Sequence, residues 1–291
     1  MTDNQSAAVS FPDVAVLGAG TMGAGIAQVC AQAGAKVVLQ DIRDDLVDKG
    51  LGRIRDFLQK GVDKGKVSAE QRDATLARVS VATDRAVACR EADLVIEAVP
   101  EILELKNGLF RELAGVVTED CVLASNTSSL SLAKVFDGVA APERCIGMHF
   151  FNPVPLMKLL ELVRTAQTSA ATIERVTAFS RQLGKEPILV VDSPGFASSR
   201  LGVCLGLEAI RMVEAGVASA EDIDKAMVLG YGHPMGPLKL TDLVGLDVRL
   251  AIADYLRKEL DHPGFEAPAL MRRMVAEGKL GKKSGQGFYA W

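Results

Sequence analysis

Short apolar runs alternate with segments of helical spacing along the first two thirds of the chain. An apolar run bounded by turn residues predicts a buried strand, and apolar positions that recur every three or four residues predict a helix. The predicted strands cover residues 14–17, 36–40, 79–82, 94–99, 121–124, 144–150, 157–163 and 187–191. Strands and helices in this alternation are typical of a doubly wound, mostly parallel α/β sheet.

The strand signals end at Asp192, and from Ser193 onward the apolar spacing is helical. The helices predicted there cover residues 200–215, a segment that begins after Ser219, residues 238–258 and residues 267–277. The change in periodicity divides the chain into an α/β domain, residues 1–192, and an all-helical domain, residues 193–291. Because soluble oligomers are commonly two-fold dimers, we expect so apolar a helical domain to bury part of its surface against a second subunit.

Three glycines, Gly18, Gly20 and Gly23, lie between the first predicted strand and the first predicted helix. At this spacing the first glycine permits the turn, the second lets a pyrophosphate approach the backbone, and the third lets helix and strand pack closely. The second predicted strand is followed by Asp41, an acid that can accept hydrogen bonds from an adenosine ribose and repels a 2′-phosphate. The pattern predicts a Rossmann-type dinucleotide site that takes NAD rather than NADP.

Composition and charge exclude several classes of protein. Hydrophobic residues make up 48% of the chain, and a net charge of −4 offers no general attraction for nucleic acid or an anionic membrane. No apolar run approaches the roughly 20 residues that span a bilayer. The first dozen residues contain no Lys or Arg, so we expect a frayed polar leader there rather than a targeting signal.

The five cysteines are scattered and include no Cys-x-x-Cys pair. They predict a reducing, cytoplasmic environment in which each cysteine is a small buried apolar residue. The three histidines share no motif with the cysteines, so no metal site is expected.

Among the candidate catalytic residues, His149 is the most informative. It lies near the end of a predicted strand, before a Phe-Asn-Pro turn, and should face the cofactor crevice at the carboxyl edge of the sheet. An imidazole can hold or release a proton near neutral pH, as the interconversion of an alcohol and a ketone requires. Glu161 lies in the apolar run of the next strand, where a carboxylate is costly to bury unless it is paired. If the turn brings the two strands together, Glu161 can accept the N–H of His149 and fix its tautomer.

The helix predicted over residues 45–64 carries basic side chains between its apolar positions. They are Arg53, Arg55, Lys60 and Lys64, with Lys66 just beyond. The simpler interpretation is a solvated helix face, and the alternative is a landing site for a phosphorylated carrier such as coenzyme A.

With these features the chain resembles the L-3-hydroxyacyl-CoA dehydrogenase family, particularly its short bacterial members that act on 3-hydroxybutyryl-CoA. The resemblance runs from about Phe11 to Trp291. Its motifs are Gly-Ala-Gly-Thr-Met-Gly at 18–23, Ser-Asn-Thr-Ser-Ser at 125–129, His-Phe-Phe-Asn-Pro at 149–153, Asp-Ser-Pro-Gly-Phe at 192–196, Pro-Met-Gly-Pro at 234–237 and Lys-Ser-Gly-Gln-Gly-Phe-Tyr at 283–289. Several motifs in the right order are far more specific than any one of them.

The resemblance implies NAD-dependent oxidation of an acyl-CoA substrate, with His149 as the catalytic base and Glu161 as its orienting partner. It implies that Ser128 and Asn152 contact both substrate and nicotinamide. The other cofactor contacts that it implies are Gly18, Gly20, Thr21, Met22, Gly23, Asp41, Glu101 and Lys106. It also implies a homodimer formed through the helical domain.

One position departs from the family's pattern. The family usually has Asn before the Arg that follows Pro-Gly-Phe, whereas here Ser199 precedes Arg200. A serine has a shorter reach and one donor rather than two, so the resemblance implies a weaker or water-bridged contact from Ser199 to the thioester.

Two other interpretations stay open at this point. A beta-hydroxyacid dehydrogenase also joins a dinucleotide domain to a helical one, but it acts on free acids through a catalytic lysine. Lys225 and Lys239 lie in the helical part, yet neither stands in a glycine-flanked motif of that kind. A non-catalytic dinucleotide-binding relative would need neither His149 nor Glu161, and fold alone cannot separate these classes.

Overall fold

The computed structural model describes residues 9–291, which fall into two compact units that meet in the sequence between Asp192 and Ser193. The expected polar leader falls largely on residues 1–8, outside the described residues. Within its described part, Phe11 is fully buried and packs edge-on against Phe179, with ring centroids 5.2 Å apart. The expectation of a frayed leader is therefore wrong at Phe11, because an aromatic ring there completes the core.

The first unit is built on one eight-stranded sheet. Its strands are β1 (Asp13–Leu17), β2 (Lys36–Gln40), β3 (Val79–Ala82), β4 (Leu94–Glu97), β5 (Val122–Ser125), β6 (Cys145–Phe150), β7 (Leu159–Arg164) and β8 (Glu186–Val191). Their order across the sheet is β3-β2-β1-β4-β5-β6-β7-β8. Neighbouring strands run parallel except for β6 and β7, which are antiparallel. The strand order reverses between β1 and β4, and such a switch point is where open α/β sheets generally bind their ligands.

Seven α-helices are described in the first unit. They are α1 (Thr21–Gln32), α2 (Asp44–Asp63), α3 (Ala69–Leu76), α4 (Arg85–Cys89), α5 (Leu103–Leu113), α6 (Leu132–Val135) and α7 (Ala170–Gln182). The short helices α4 and α6 were not predicted, because a segment of one turn is too short to show a helical period. Strands β4, β5 and β6 are buried at every position, as parallel strands covered on both faces are.

The second unit is helical, which together with the mostly parallel sheet confirms the predicted fold class. Its helices are α8 (Ser198–Glu214), α9 (Ala220–Tyr231), α10 (Pro237–Val244), α11 (Leu246–Leu260) and α12 (Ala269–Ala276). The single helix predicted over residues 238–258 is wrong, because Gly245 separates α10 from α11 with a φ of 107°. A glycine adopts such a conformation without steric cost, whereas the apolar spacing continues across the break. Of all the helices in residues 9–291, none is long and apolar enough to cross a membrane.

The cysteines are unpaired thiols in both units. Cys30, Cys89, Cys121 and Cys145 are buried, and burial raises the pKa of Cys30 to about 12. Cys204 on α8 is exposed. The expectation that every cysteine is buried is therefore wrong for Cys204, because α8 leaves that position open to solvent.

Gly23 marks the closest approach of α1 to the preceding turn, since a Cβ there would lie 1.7 Å from the carbonyl oxygen of Gly18. We expect Gly23→Ala to lower the free energy of unfolding by about 1–3 kcal/mol, as overpacking does. The matched control is Gly52→Ala in α2, where a Cβ would meet nothing within 4 Å. That variant should be as stable as the wild type, or more stable by about 0.5–1 kcal/mol. Urea unfolding measures both, and equal stability of Gly23→Ala and wild type would contradict the packing described.

Candidate active site

The loop between β1 and α1 carries the three predicted glycines, and each has a different steric surrounding. Gly18 has a φ of 97°, and a Cβ there would lie 2.6 Å from the carbonyl oxygen of Ala98. Gly23 lets α1 pack on the loop, whereas a Cβ at Gly20 would meet nothing within 4 Å. The bare backbone at Gly20 and the first N–H groups of α1, which begins at Thr21, form a surface that suits a phosphate group.

A cavity of about 570 Å³ lies beside this loop, lined by residues that follow β1, β2 and β4 and by α5. Asp41 stands at its wall and accepts two backbone hydrogen bonds, from Ala19 N at 2.8 Å and from Ile42 N at 2.7 Å. Leu105 and Leu109 supply apolar wall. Because the cavity combines a fixed carboxylate, a bare glycine backbone and apolar walls, its residues fit a dinucleotide.

The loops that follow β4 and β5 are joined by side-chain hydrogen bonds. Lys106 is buried, and its Nζ lies 3.2 Å from Oε2 of Glu101. The other oxygen of Glu101 accepts hydrogen bonds from Thr127 Oγ1 at 2.6 Å and from Ser128 N at 2.9 Å. The structure thus brings together three of the predicted site residues, Glu101, Lys106 and Ser128, which come from different segments of the sequence.

His149 and Glu161 face each other across the antiparallel strands β6 and β7. His149 Nδ1 lies 2.7 Å from Glu161 Oε2, and the two side chains are almost fully buried. A carboxylate accepts but does not donate, so Nδ1 carries the proton in this contact and Nε2 is the nitrogen that can accept one. The ring of Phe151 packs against the imidazole, with centroids 4.5 Å apart.

The turn between β6 and β7 is held by two residues that sequence reasoning did not single out. Asn126 Oδ1 accepts the backbone N–H of Phe150 at 2.9 Å, which ties the end of β6 to the loop after β5. Lys185 is buried and its Nζ donates to the carbonyl oxygens of Val154 and Met157, at 2.5 and 2.8 Å. Burial lowers the pKa of Lys185. Asn126 belongs to the Ser-Asn-Thr-Ser-Ser motif, which could have indicated its importance. A single lysine after a helix, such as Lys185, gives no sequence signal that it binds the turn after β6.

A second cavity, of about 300 Å³, lies between α1, α2 and the turn that follows β6. Arg53 and Lys60 of α2 line it on one side, and Asn152 lines it on the other. Arg53 also donates to the carbonyl oxygen of Ala19 at 3.2 Å. Of the basic residues considered on the predicted helix, Arg53 and Lys60 therefore border the same cavity as the predicted site residue Asn152.

The remaining candidates belong to the second unit. Ser199 is half-buried in the first turn of α8. Lys239 lies over the rings of Tyr289 and Trp291, 5.9 Å from each centroid, and Lys225 lies 3.7 Å from Asp222. No group of three or more His, Cys, Asp or Glu side chains among residues 9–291 could hold a metal ion.

A glycine-bordered cavity at the switch point and a buried His–carboxylate pair on the same sheet define a dinucleotide-dependent oxidoreductase. Residues 13–193 match the NAD binding domain of 3-hydroxyacyl-CoA dehydrogenase, and residues 195–291 match its C-terminal domain. The chain therefore belongs to the 3-hydroxyacyl-CoA dehydrogenase family, which confirms the resemblance, and its cofactor is NAD.

Individual relatives are similar over nearly the whole chain. A 3-hydroxybutyryl-CoA dehydrogenase of Mycobacterium tuberculosis is 48% identical over 280 residues, which cover 96% of this chain and 98% of that protein. The mitochondrial hydroxyacyl-coenzyme A dehydrogenase of Sus scrofa is 44% identical over 284 residues, which cover 96% and 90% of the two chains. The crystal structure of (S)-3-hydroxybutyryl-CoA dehydrogenase from Ralstonia eutropha gives a TM-score of 0.92 at 43% identity and covers 97% and 99%.

Gly20 offers a test of the cofactor surface that does not depend on turnover. Since a Cβ at Gly20 meets no protein atom within 4 Å, we expect Gly20→Ala to fold as stably as the wild type. The added methyl would occupy the place of an approaching phosphate, so NADH binding, measured by fluorescence titration, should weaken. Gly52→Ala is the matched control and should bind NADH as the wild type does. Unchanged NADH affinity in Gly20→Ala would show that the phosphates do not contact this backbone.

Proposed function

We propose that the protein oxidises the 3-hydroxyl group of an (S)-3-hydroxyacyl-CoA, with 3-hydroxybutyryl-CoA as its substrate, to the 3-keto thioester and catalyses the reverse reduction. The observation that carries this proposal is the 2.7 Å contact between His149 and Glu161 on the sheet that also bears the glycine loop. The relatives named 3-hydroxybutyryl-CoA dehydrogenase support the substrate class.

In this proposal His149 is the catalytic base. Its Nε2 removes the hydroxyl proton of the substrate, and in the reverse direction the imidazolium returns a proton to the developing alkoxide. Glu161 positions the ring through Nδ1 and stabilises the imidazolium, as the carboxylate of a catalytic triad does. Acid–base assistance of this kind contributes about 10²–10⁴-fold to a rate.

The cofactor residues surround the larger cavity and its border. The glycine loop, with Gly18, Gly20, Thr21, Met22 and Gly23, receives the pyrophosphate. Asp41 accepts hydrogen bonds from the adenosine ribose, and its negative charge repels a 2′-phosphate. The nicotinamide end of the site is bordered by Glu101, Lys106, Ser128 and Asn152. When bound there, NAD would supply the hydride acceptor that oxidation of the carbinol carbon requires and that no side chain provides.

The substrate residues come from several segments. Ser128 and Asn152 contact the acyl group as well as the cofactor, and Ser199 contacts the thioester through a weak or water-bridged hydrogen bond. Arg53 and Lys60, which line the smaller cavity together with Asn152, bind the phosphates of coenzyme A. Two cations bordering one cavity support this role over that of a solvated helix face.

The protein acts as a homodimer formed through its helical unit. The helices α8, α10 and α11 pack against one another, and each leaves apolar side chains exposed. These side chains support the assembly, because large exposed apolar patches mark interaction surfaces. They are Leu201, Leu205, Leu243, Val244 and Val248. Scattered free thiols, four of them buried, support a reducing cytoplasmic location.

The substrate class is tested by following NADH oxidation with acetoacetyl-CoA and with free acetoacetate. We expect turnover of the thioester and little turnover of the acid, since the carrier supplies binding energy remote from the reacting carbon. NADPH should replace NADH poorly, because of the carboxylate of Asp41. Preference for the free acid would favour the beta-hydroxyacid dehydrogenase alternative, and no turnover of any 3-ketoacyl-CoA would favour a non-catalytic relative.

The role of His149 is tested by His149→Gln. The glutamine removes the group that protonates the developing alkoxide, so kcat for acetoacetyl-CoA reduction should fall about 10²–10⁴-fold. The Kd for NADH should not change, because His149 lies outside the dinucleotide cavity.

The matched control for this variant is His262→Gln. His262 is an exposed histidine whose Nδ1 accepts the N–H of Gly264, a bond that a glutamine oxygen can keep. It should retain full activity. A fully active His149→Gln would refute the assignment of the base.

A further inference from the structure

Glu97 is a buried carboxylate that the proposed chemistry does not use. It is the last residue of β4, and it is completely inaccessible to solvent. Oε1 accepts hydrogen bonds from Lys106 Nζ at 2.5 Å and from Val99 N at 2.7 Å, and Oε2 accepts one from Ser125 Oγ at 2.6 Å. Its donors therefore come from α5, from the loop after β4 and from the end of β5.

Lys106 connects this carboxylate to the edge of the dinucleotide site. It projects from the first turn of α5, is 1% exposed, and lies between Glu97 and Glu101, at 2.5 and 3.2 Å from their nearest oxygens. A third bond, to Val99 O at 3.2 Å, fixes the ammonium group from the loop side. Three such partners fix the orientation of the ammonium group. The ammonium group in turn fixes the orientation of the Glu101 carboxylate.

Glu101 passes this orientation on to the loop after β5. One of its oxygens faces Lys106, and the other holds Thr127 Oγ1 and Ser128 N. Ser125, the partner of Glu97, also accepts the N–H of Thr127 at 3.2 Å. Glu97 is thus connected to the 125–129 loop by two routes. One is the direct bond to Ser125, and the other runs through Lys106 and Glu101 to Thr127 and Ser128.

The charge at Glu97 is costly for the fold. Burial raises the pKa of this carboxyl group, against the opposing effect of the Lys106 ammonium. A buried ion pair of this kind is often no more stabilising than an apolar pair of the same size. What a fixed pair does supply is a single geometry for the groups bound to it.

We propose that Glu97 is a positioning residue for the cofactor: through Lys106 and Ser125 it sets the orientation of Glu101 and of the 125–129 loop, where the nicotinamide nucleotide is held. The inference rests on the proposed function in one respect, namely that Glu101, Lys106 and Ser128 border the bound cofactor.

The experiment is a double-mutant cycle of Glu97→Gln and Lys106→Met, read by NADH binding without substrate. We expect each single variant to raise the NADH Kd by about threefold to a hundredfold, the range that coupled neighbouring residues give. A glutamine at position 97 can keep a hydrogen bond with Ser125 Oγ, so Glu97→Gln removes mainly the ion pair with Lys106. The double variant should therefore bind NADH no more weakly than Lys106→Met alone. Effects that multiply would overturn the proposal, since they would mean that Glu97 acts independently of Lys106.

A merely structural role is separated by urea unfolding of the same proteins. Removing both charges should return most of the lost stability, because no unpaired buried charge is left, while NADH affinity stays low. Affinity that recovers together with stability would make Glu97 a structural residue only. If Glu97→Gln does not fold, Ser125→Ala replaces it, since it removes the donor to Oε2 together with the acceptor of Thr127 N and leaves the charge of Glu97 paired with Lys106. Unchanged NADH affinity in Ser125→Ala would then overturn the proposal.

The matched control is Asp93→Asn, which neutralises a carboxylate at the opposite end of the same strand. Asp93 precedes β4 and accepts the N–H of Asp13 at 3.0 Å. Its NADH Kd should equal that of the wild type, and a rise as large as that of Glu97→Gln would overturn the proposal by showing a general effect of charge. Turnover of acetoacetyl-CoA by the wild type is measured separately, so a wrong substrate class and a wrong role for Glu97 give different results.

Discussion

The contact between His149 and Glu161 is the interaction on which the site depends. A carboxylate enclosed within β7 would cost several kcal/mol if nothing compensated its lost hydration. The imidazole N–H supplies that compensation, and the same bond sets which ring nitrogen is left to accept a proton. Antiparallel pairing of β6 and β7 makes the contact possible, because it places a residue near the end of one strand opposite a residue near the start of the next.

The rest of the site follows from the convergence of parallel strands. The carboxyl ends of β1, β4, β5 and β6 lie side by side, so loops far apart in the sequence meet at one edge of the sheet. Steric and polar constraints then hold these loops in place. Gly18 packs under the carbonyl of Ala98, Glu101 binds the backbone at Ser128, and Asn126 binds the backbone at Phe150. Each of these contacts joins neighbouring loops, so the loops at this edge of the sheet form one connected surface.

The strands and long helices of the first unit were predictable because each buries one side or both sides of a regular element. The misses have equally local causes. The helices α4 and α6 are shorter than the window in which a period can be seen. Gly245 breaks a helix without interrupting the apolar spacing, and Phe11 enters the core from a segment that otherwise reads as polar. The exposure of Cys204 was not predicted, because a cysteine by itself does not indicate which face of a helix it lies on.

By itself the sequence determined the class of fold, the glycine loop, the acid at Asp41 and the identity of the His–Glu pair. Each of these is visible as a regular spacing of residues or as a charged residue within an apolar run. The tertiary structure alone decided which side chains meet. The buried contacts of Glu97 with Lys106 and of Lys185 with the turn after β6 join positions that share no period and no motif. A hydrogen bond depends on where two atoms lie in space, and only the packed sheet brings these atoms within reach of each other.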